Sequence, residues 1–91
     1  MTAEHIIRAA AREFHLSRQE LISSGRRWPA VAARQAAMYA LRRQALSYEQ
    51  IGELFGGRHH STVIHACQAA ERRARADARY ALRVAALLEA L

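Results

Sequence analysis

The chain contains no lysine, and that absence removes a class of chemistry. A Gly-x-x-x-x-Gly-Lys-Ser/Thr phosphate loop cannot be written without one, so nucleotide binding of that kind, and the hydrolysis it supports, are excluded for this chain alone. Cysteine is nearly absent as well. Cys67 stands alone, which rules out a disulfide within the chain and argues against a cysteine-built zinc site. One proline and four glycines leave few helix breakers. No apolar run approaches the roughly 20 residues of a membrane span, and no charged segment followed by an apolar one opens the chain. The expectation is a soluble, cytoplasmic protein with no membrane partner.

What is present points to helices and to a polyanion. Twenty-one of the 91 residues are alanine and 52% are hydrophobic, a composition that favours one all-α domain over residues 1–91. Fourteen basic residues, all arginine, against eight acidic ones give a net charge of +6. Exclusive arginine use has two readings: the codon bias of a G+C-rich genome, which also favours alanine, or selection for the forked guanidinium that fits phosphate and guanine edges. Position carries more information. Arg26, Arg27, Arg34, Arg42 and Arg43 lie between Glu20 and Glu49 with no acid among them, and five arginines from Arg72 to Arg83 face only Asp77. A solvated helical face mixes signs more evenly.

The periodicity predicts five to six helices. Ile6, Ile7, Ala10 and Phe14 mark an amphipathic helix over about 3–14. Ser17-Arg18-Gln19-Glu20 is a capping box for a short helix ending near Ile22. A basic turn from Ser23 to Pro29 follows, with Pro29 suited to the start of a helix carrying Val31, Met38 and Leu41 to about Gln44. Ser47-Tyr48-Glu49-Gln50 is a second capping box, opening a two-turn helix that Gly56-Gly57 stops. From His60 the stripe Val63, Cys67, Ala70 and Ala74 is helical, and Tyr80, Val84, Leu87, Leu88 and Leu91 form the buried side of a last helix. No internal repeat is evident.

Two short capped helices around a glycine turn, the second opening with small polar residues and running into arginines, outline a helix-turn-helix over about 47–75. In such a motif the first turn of the second helix points His59, His60, Ser61 and Thr62 at base edges, and free N–H groups at the helix start suit a phosphate. An ordinary helical hairpin in a small bundle shares the outline. Charge placement favours DNA.

The residues also carry a more specific resemblance. Arg34-Gln35 followed by Met38, Ser47 through Ile51-Gly52, Phe55-Gly56-Gly57-Arg58 and His60 through Cys67 resemble the carboxy-terminal DNA-binding domain of the bacterial replication initiator DnaA, in register from about Ile6 to Leu91. Its densest part, Gly56 to Cys67, is similar to that family's Gly-Gly-Arg-Asp-His-Thr/Ser-Thr-Val signature. The resemblance implies a Trp-repressor-like helical domain that binds duplex DNA at TTATCCACA-like boxes. It implies that His60, Ser61 and Thr62, with His59 beside them, read the major groove, and that Arg26 in the basic loop enters the minor groove. Arg27, Arg34, Ser47, Tyr48, Arg58 and Arg72 are the expected phosphate contacts. The chain departs from the signature at His59, which stands in place of the acid: an aspartate accepts from a cytosine amino group, whereas histidine donates to guanine N7 or O6. The Met1-Thr2 start favours a free-standing relative of the initiator's last domain over a fragment.

Other constellations read as structural. His59, His60 and His65 with Cys67 do not share one helical face, because adjacent helical residues point apart, so no metal and no cofactor is expected. Cys67 in the apolar stripe reads as a small core residue rather than a nucleophile. Trp28 reads as closing the edge of the core in preference to wedging at a groove. Tyr39, Tyr48 and Tyr80 read as core or boundary residues, with Tyr48 alone placed to touch a phosphate. The function expected is sequence-specific duplex binding without catalysis, modulating replication initiation or transcription on the nucleoid. The competing expectation is an adaptor that binds the initiator or its regulatory proteins through a protein surface.

Overall fold

Two junctions of the same design lay out the first four helices. The computed structural model describes residues 2–89, and α1 (Ala3–Glu13) opens it with the Thr2 side chain accepting the His5 N–H. Beyond Phe14 the backbone turns left-handed at His15 (φ +57°), and the His15 and Leu16 N–H groups close back on the carbonyls of Arg12 and Ala11 at 3.2 and 2.8 Å. That is a Schellman stop built without glycine. Ser17 then caps α2 (Arg18–Ile22), its hydroxyl accepting the Glu20 N–H while the Glu20 carboxylate accepts the Ser17 N–H. The chain repeats this sequence of events after α3 (Trp28–Arg43). Ala45 is left-handed (φ +70°), Leu46 N–H reaches back to the Leu41 carbonyl, and Ser47 and Gln50 form the box that starts α4 (Tyr48–Leu54). Both capping boxes stand where the sequence places them. The left-handed His15 and Ala45 had no glycine to announce them.

Helix α3 is the axis of the molecule. Ala30, Ala32, Ala33, Ala36, Ala37 and Ala40 are buried with Met38 and Leu41, and this small-residue surface lets α1, α2, α4, α5 and α6 all pack against it. Ile6, Ile7, Leu21, Ile51, Phe55, Val63 and Leu87 complete one core to which all six helices contribute. Helix α5 (His60–Ala76) ends at Asp77, whose carboxylate accepts the N–H groups of Arg79 and Tyr80 and so starts α6 (Ala78–Glu89). Tyr80 is buried and donates its hydroxyl to the Ala32 carbonyl at 2.7 Å, tying α6 to α3. The fold is all-α, as the periodicity predicts, with six helices and no strand among the described residues. Leu91, the last residue of the expected stripe, lies outside them. No described helix is long and apolar enough to cross a membrane.

Trp28 departs from expectation. It is 52% exposed at the start of α3, and the Arg73 guanidinium lies 4.0 Å from its ring centre, so a cation covers the indole instead of the core receiving it. Cys67 is buried as expected, and burial pushes its thiol up to about 11, which leaves it protonated and unreactive at neutral pH.

Candidate nucleic-acid interface

The turn between α4 and α5 is folded around one glycine. The Gly52 carbonyl accepts N–H groups from Phe55, Gly57 and Arg58 at 3.2, 3.0 and 2.9 Å, while Gly56 and Gly57 take left-handed φ values of +83° and +79°. A Cβ on Gly52 would lie 2.1 Å from the Arg58 carbonyl oxygen, so the chain passes too closely for any side chain. This contact sets the distance between the two helices of the motif.

At the start of α5, His59, His60, Ser61 and Thr62 are all exposed, while Val63 and Cys67 face inward and fix which side of the helix looks out. His59 is not itself helical (φ −63°, ψ 147°) and caps α5 through its ring: Nδ1 accepts the Ser61 N–H at 3.2 Å and lies 2.9 Å from the Ser61 hydroxyl. Because of that extended backbone the His59 and His60 rings do not point apart. They stack, with centroids 4.1 Å apart. The helix start is also less open to a phosphate than the sequence suggested, since the Thr62 N–H bonds the His59 carbonyl and the Ser61 N–H is taken by the cap.

The basic loop between α2 and α3 is held from below by two arginines. Arg34 is 5% exposed and donates to the carbonyls of Leu21, Gly25 and Glu20 at 2.8, 3.1 and 3.4 Å. Its assignment as a phosphate contact is therefore corrected: the guanidinium is spent on backbone carbonyls at the end of α2 and in the loop that follows. Burial, followed by the nearby charge of Arg58, pulls Arg34 below its ordinary value, yet it stays a cation and adds to the local field. Arg58 is half-buried. Its Nε donates to the Phe55 carbonyl at 3.2 Å and its Nη2 to the Ser23 carbonyl at 2.8 Å, which joins the helix-turn-helix to the basic loop. Its remaining edge is uncommitted by any hydrogen bond among the described residues. Arg26 and Arg27 sit exposed on this braced loop, with neighbouring Gly25 held by Arg34 and the Arg27 carbonyl accepting the Val31 N–H.

The other expected phosphate contacts are distributed around this centre. Thr62, Arg58 and Arg72 line one groove of about 380 Å³ between α3 and α5, together with His65. The sequence offers His65 only as a metal ligand, yet Thr62, His65, Ala69 and Arg72 recur at helical spacing and put it on the same face. Ser47 and Tyr48 are half-buried at the start of α4, where the Ser47 oxygen is occupied by its cap and Arg42 lies 4.2 Å above the Tyr48 ring. The ion pairs among the described residues are Arg8 and Arg18 with Glu4, and Arg75 with Glu71. None of them neutralises Arg26, Arg27, Arg58 or Arg72.

A family model described as the bacterial dnaA protein helix-turn-helix matches residues 3–69. The chromosomal replication initiator protein DnaA of Thermomicrobium roseum is 41% identical over 78 residues, which cover 85% of this chain and 17% of that protein. That of Thermus thermophilus is 45% identical over 73 residues, 79% of this chain and 17% of the relative. That of Bifidobacterium animalis subsp. lactis is 44% identical over 64 residues, 69% of this chain and 11% of the relative. The chain thus spans under a fifth of the length of these relatives.

Proposed function

Because the chain belongs to the bacterial DnaA helix-turn-helix family, we propose that it binds double-stranded DNA sequence-specifically at sites like those of the initiator, without catalysing a reaction. The observation that carries this reading is the hydrogen bond from Arg58 to Ser23, which braces an exposed reading helix and an exposed basic loop as one unit. In this reading the first turn of α5 lies in the major groove with His59, His60, Ser61 and Thr62 at base edges, and Arg26 reaches the adjacent minor groove, where a narrow A·T segment attracts a guanidinium. Arg27, Arg58 and Arg72, helped by the Ser47 and Tyr48 hydroxyls, hold phosphates on either side and set register and affinity. The buried Arg34 keeps the loop in shape and lends its charge.

In this reading the domain occupies initiator boxes on the nucleoid in the cytoplasm and so modulates replication initiation or transcription. Selection of bound duplexes from a random pool tests the proposal. A recurring motif related to TTATCCACA is expected, whereas an adaptor acting through a protein surface returns no consensus.

A further inference from the structure

His59 is held on two sides. Its Nδ1 accepts the Ser61 N–H, and its face lies against His60 with the rings tilted by 35°. With Nδ1 accepting the Ser61 N–H at 3.2 Å and the Ser61 hydroxyl, 2.9 Å away, turned to donate to the same nitrogen, the neutral imidazole carries its hydrogen on Nε2, at the opposite edge of the ring. The starts of α1, α2, α4 and α6 are capped by the side-chain oxygens of Thr2, Ser17, Ser47 and Asp77, whereas here the cap consumes the ring's one acceptor. The edge left to solvent is a donor only.

We propose that His59 is a specificity-determining residue that selects guanine at the base pair facing the start of α5. The inference rests on the duplex-binding reading above. Guanine presents N7 and O6 in the major groove, two acceptors and no donor, so a fixed N–H finds a partner across its whole edge. Cytosine presents its N4 amino group, which sets donor against donor. Adenine offers N7 beside an amino group, and thymine offers O4 beside a methyl group. The cap and the His60 stack keep the ring from turning its other nitrogen outward to accept from an amino group.

The test is duplex selection with the wild-type chain, His59→Asp and His59→Asn. Aspartate and asparagine both cap a helix well, so α5 is retained, and helix content by circular dichroism with thermal melting confirms it. Aspartate offers acceptors only, and asparagine can cap with its oxygen while its amide donates. The expected result is guanine at one position for the wild type and His59→Asn, and cytosine at that position for His59→Asp, the rest of the motif being unchanged. Competition between two duplexes differing there should show discrimination of about 5- to 150-fold, with its direction reversed in His59→Asp. A wild-type consensus that His59→Asp leaves unaltered at every position overturns this inference and spares the duplex reading. No consensus from the wild type overturns both.

Discussion

Arg58 and Ser23 are 35 residues apart in sequence and joined by a 2.8 Å hydrogen bond, the guanidinium of the helix-turn-helix donating to a carbonyl of the basic loop. The start of α5 and the basic loop therefore share one fastener, and in the proposed duplex complex their contributions to binding should be coupled. Replacing Arg58 with Ala frees the loop at Ser23 and removes the order that lets Arg26 act. Arg26→Ala is accordingly expected to cost less affinity in the Arg58→Ala background than in the wild type. A double-mutant cycle on one duplex should give a coupling of about 1 kcal/mol. Additive losses would show that the two elements act independently.

The correction at Arg34 separates stability from charge. Arg34→Met leaves the Glu20 and Leu21 carbonyls of α2 and the Gly25 carbonyl of the loop without their donor and should destabilise the fold by about 3 kcal/mol, measured by urea unfolding. If Arg27, Arg58 and Arg72 neutralise about three phosphates, log K falls against log salt with a slope of about −2.7. Arg34→Met should weaken binding through the loop while keeping that slope. Arg72→Ala should reduce the slope by about 0.9. A slope reduced by the same amount in Arg34→Met would return that residue to the phosphate contacts.

The fold was largely legible because its boundaries are written in local chemistry. Ser17 with Glu20 and Ser47 with Gln50 announce two helix starts, and Gly56-Gly57 announces the turn between α4 and α5. Local patterns report less on what an arginine does once the chain has folded. Arg34 reads as surface charge, yet it lies at helical spacing between Ala30, Ala37 and Leu41, a row that is buried throughout. That row was the available signal. The three carbonyls that receive Arg34 come from residues 20–25, and no spacing rule within one helix could have named them. His59 hid for another reason: treating it as the first residue of a helix turns its ring away from His60, whereas its extended backbone turns the two rings together.

Stability should fall on the alkaline side through two buried groups. Burial pushes the Tyr80 hydroxyl up to about 12 and the Cys67 thiol up to about 11. Both are neutral when protonated, so the native state holds these protons more tightly than the unfolded chain does. The stability they contribute is whole below their ordinary values of 10.0 and 9.0 and is lost as pH rises through the native ones. Urea midpoints measured from pH 8 to 12 should therefore decline steadily. In Tyr80→Phe the starting midpoint is lower, because the bond to the Ala32 carbonyl is gone, and the decline is shallower. Equal slopes in the two proteins would mean that the Tyr80 proton is not linked to folding.

Two exchanges between alanine and glycine, one just before α4 and one within it, should have opposite signs. Ala45 sits at φ +70°, a region costly for any side chain, and its neighbours complete a stop motif that glycine satisfies without strain. Ala45→Gly releases that strain but gains unfolded-state entropy, and the balance should be a stabilisation of about 0.5 to 1 kcal/mol. Gly52 is the reverse case. Its added Cβ meets the Arg58 carbonyl oxygen at 2.1 Å, and the obstacle is backbone, which cannot swing aside as a side chain does. Gly52→Ala must push the turn away from α4, stretching the bonds that Phe55, Gly57 and Arg58 make to the Gly52 carbonyl, at a cost of about 3 kcal/mol or more. Because Arg58 also carries the bond to Ser23, the displacement reaches the basic loop as well as the start of α5. Thermal melts should rise for Ala45→Gly and fall for Gly52→Ala. Duplex affinity below the melting range should hold in the first and drop in the second, and unchanged affinity in a folded Gly52→Ala would show that the spacing of α4 and α5 does not govern binding.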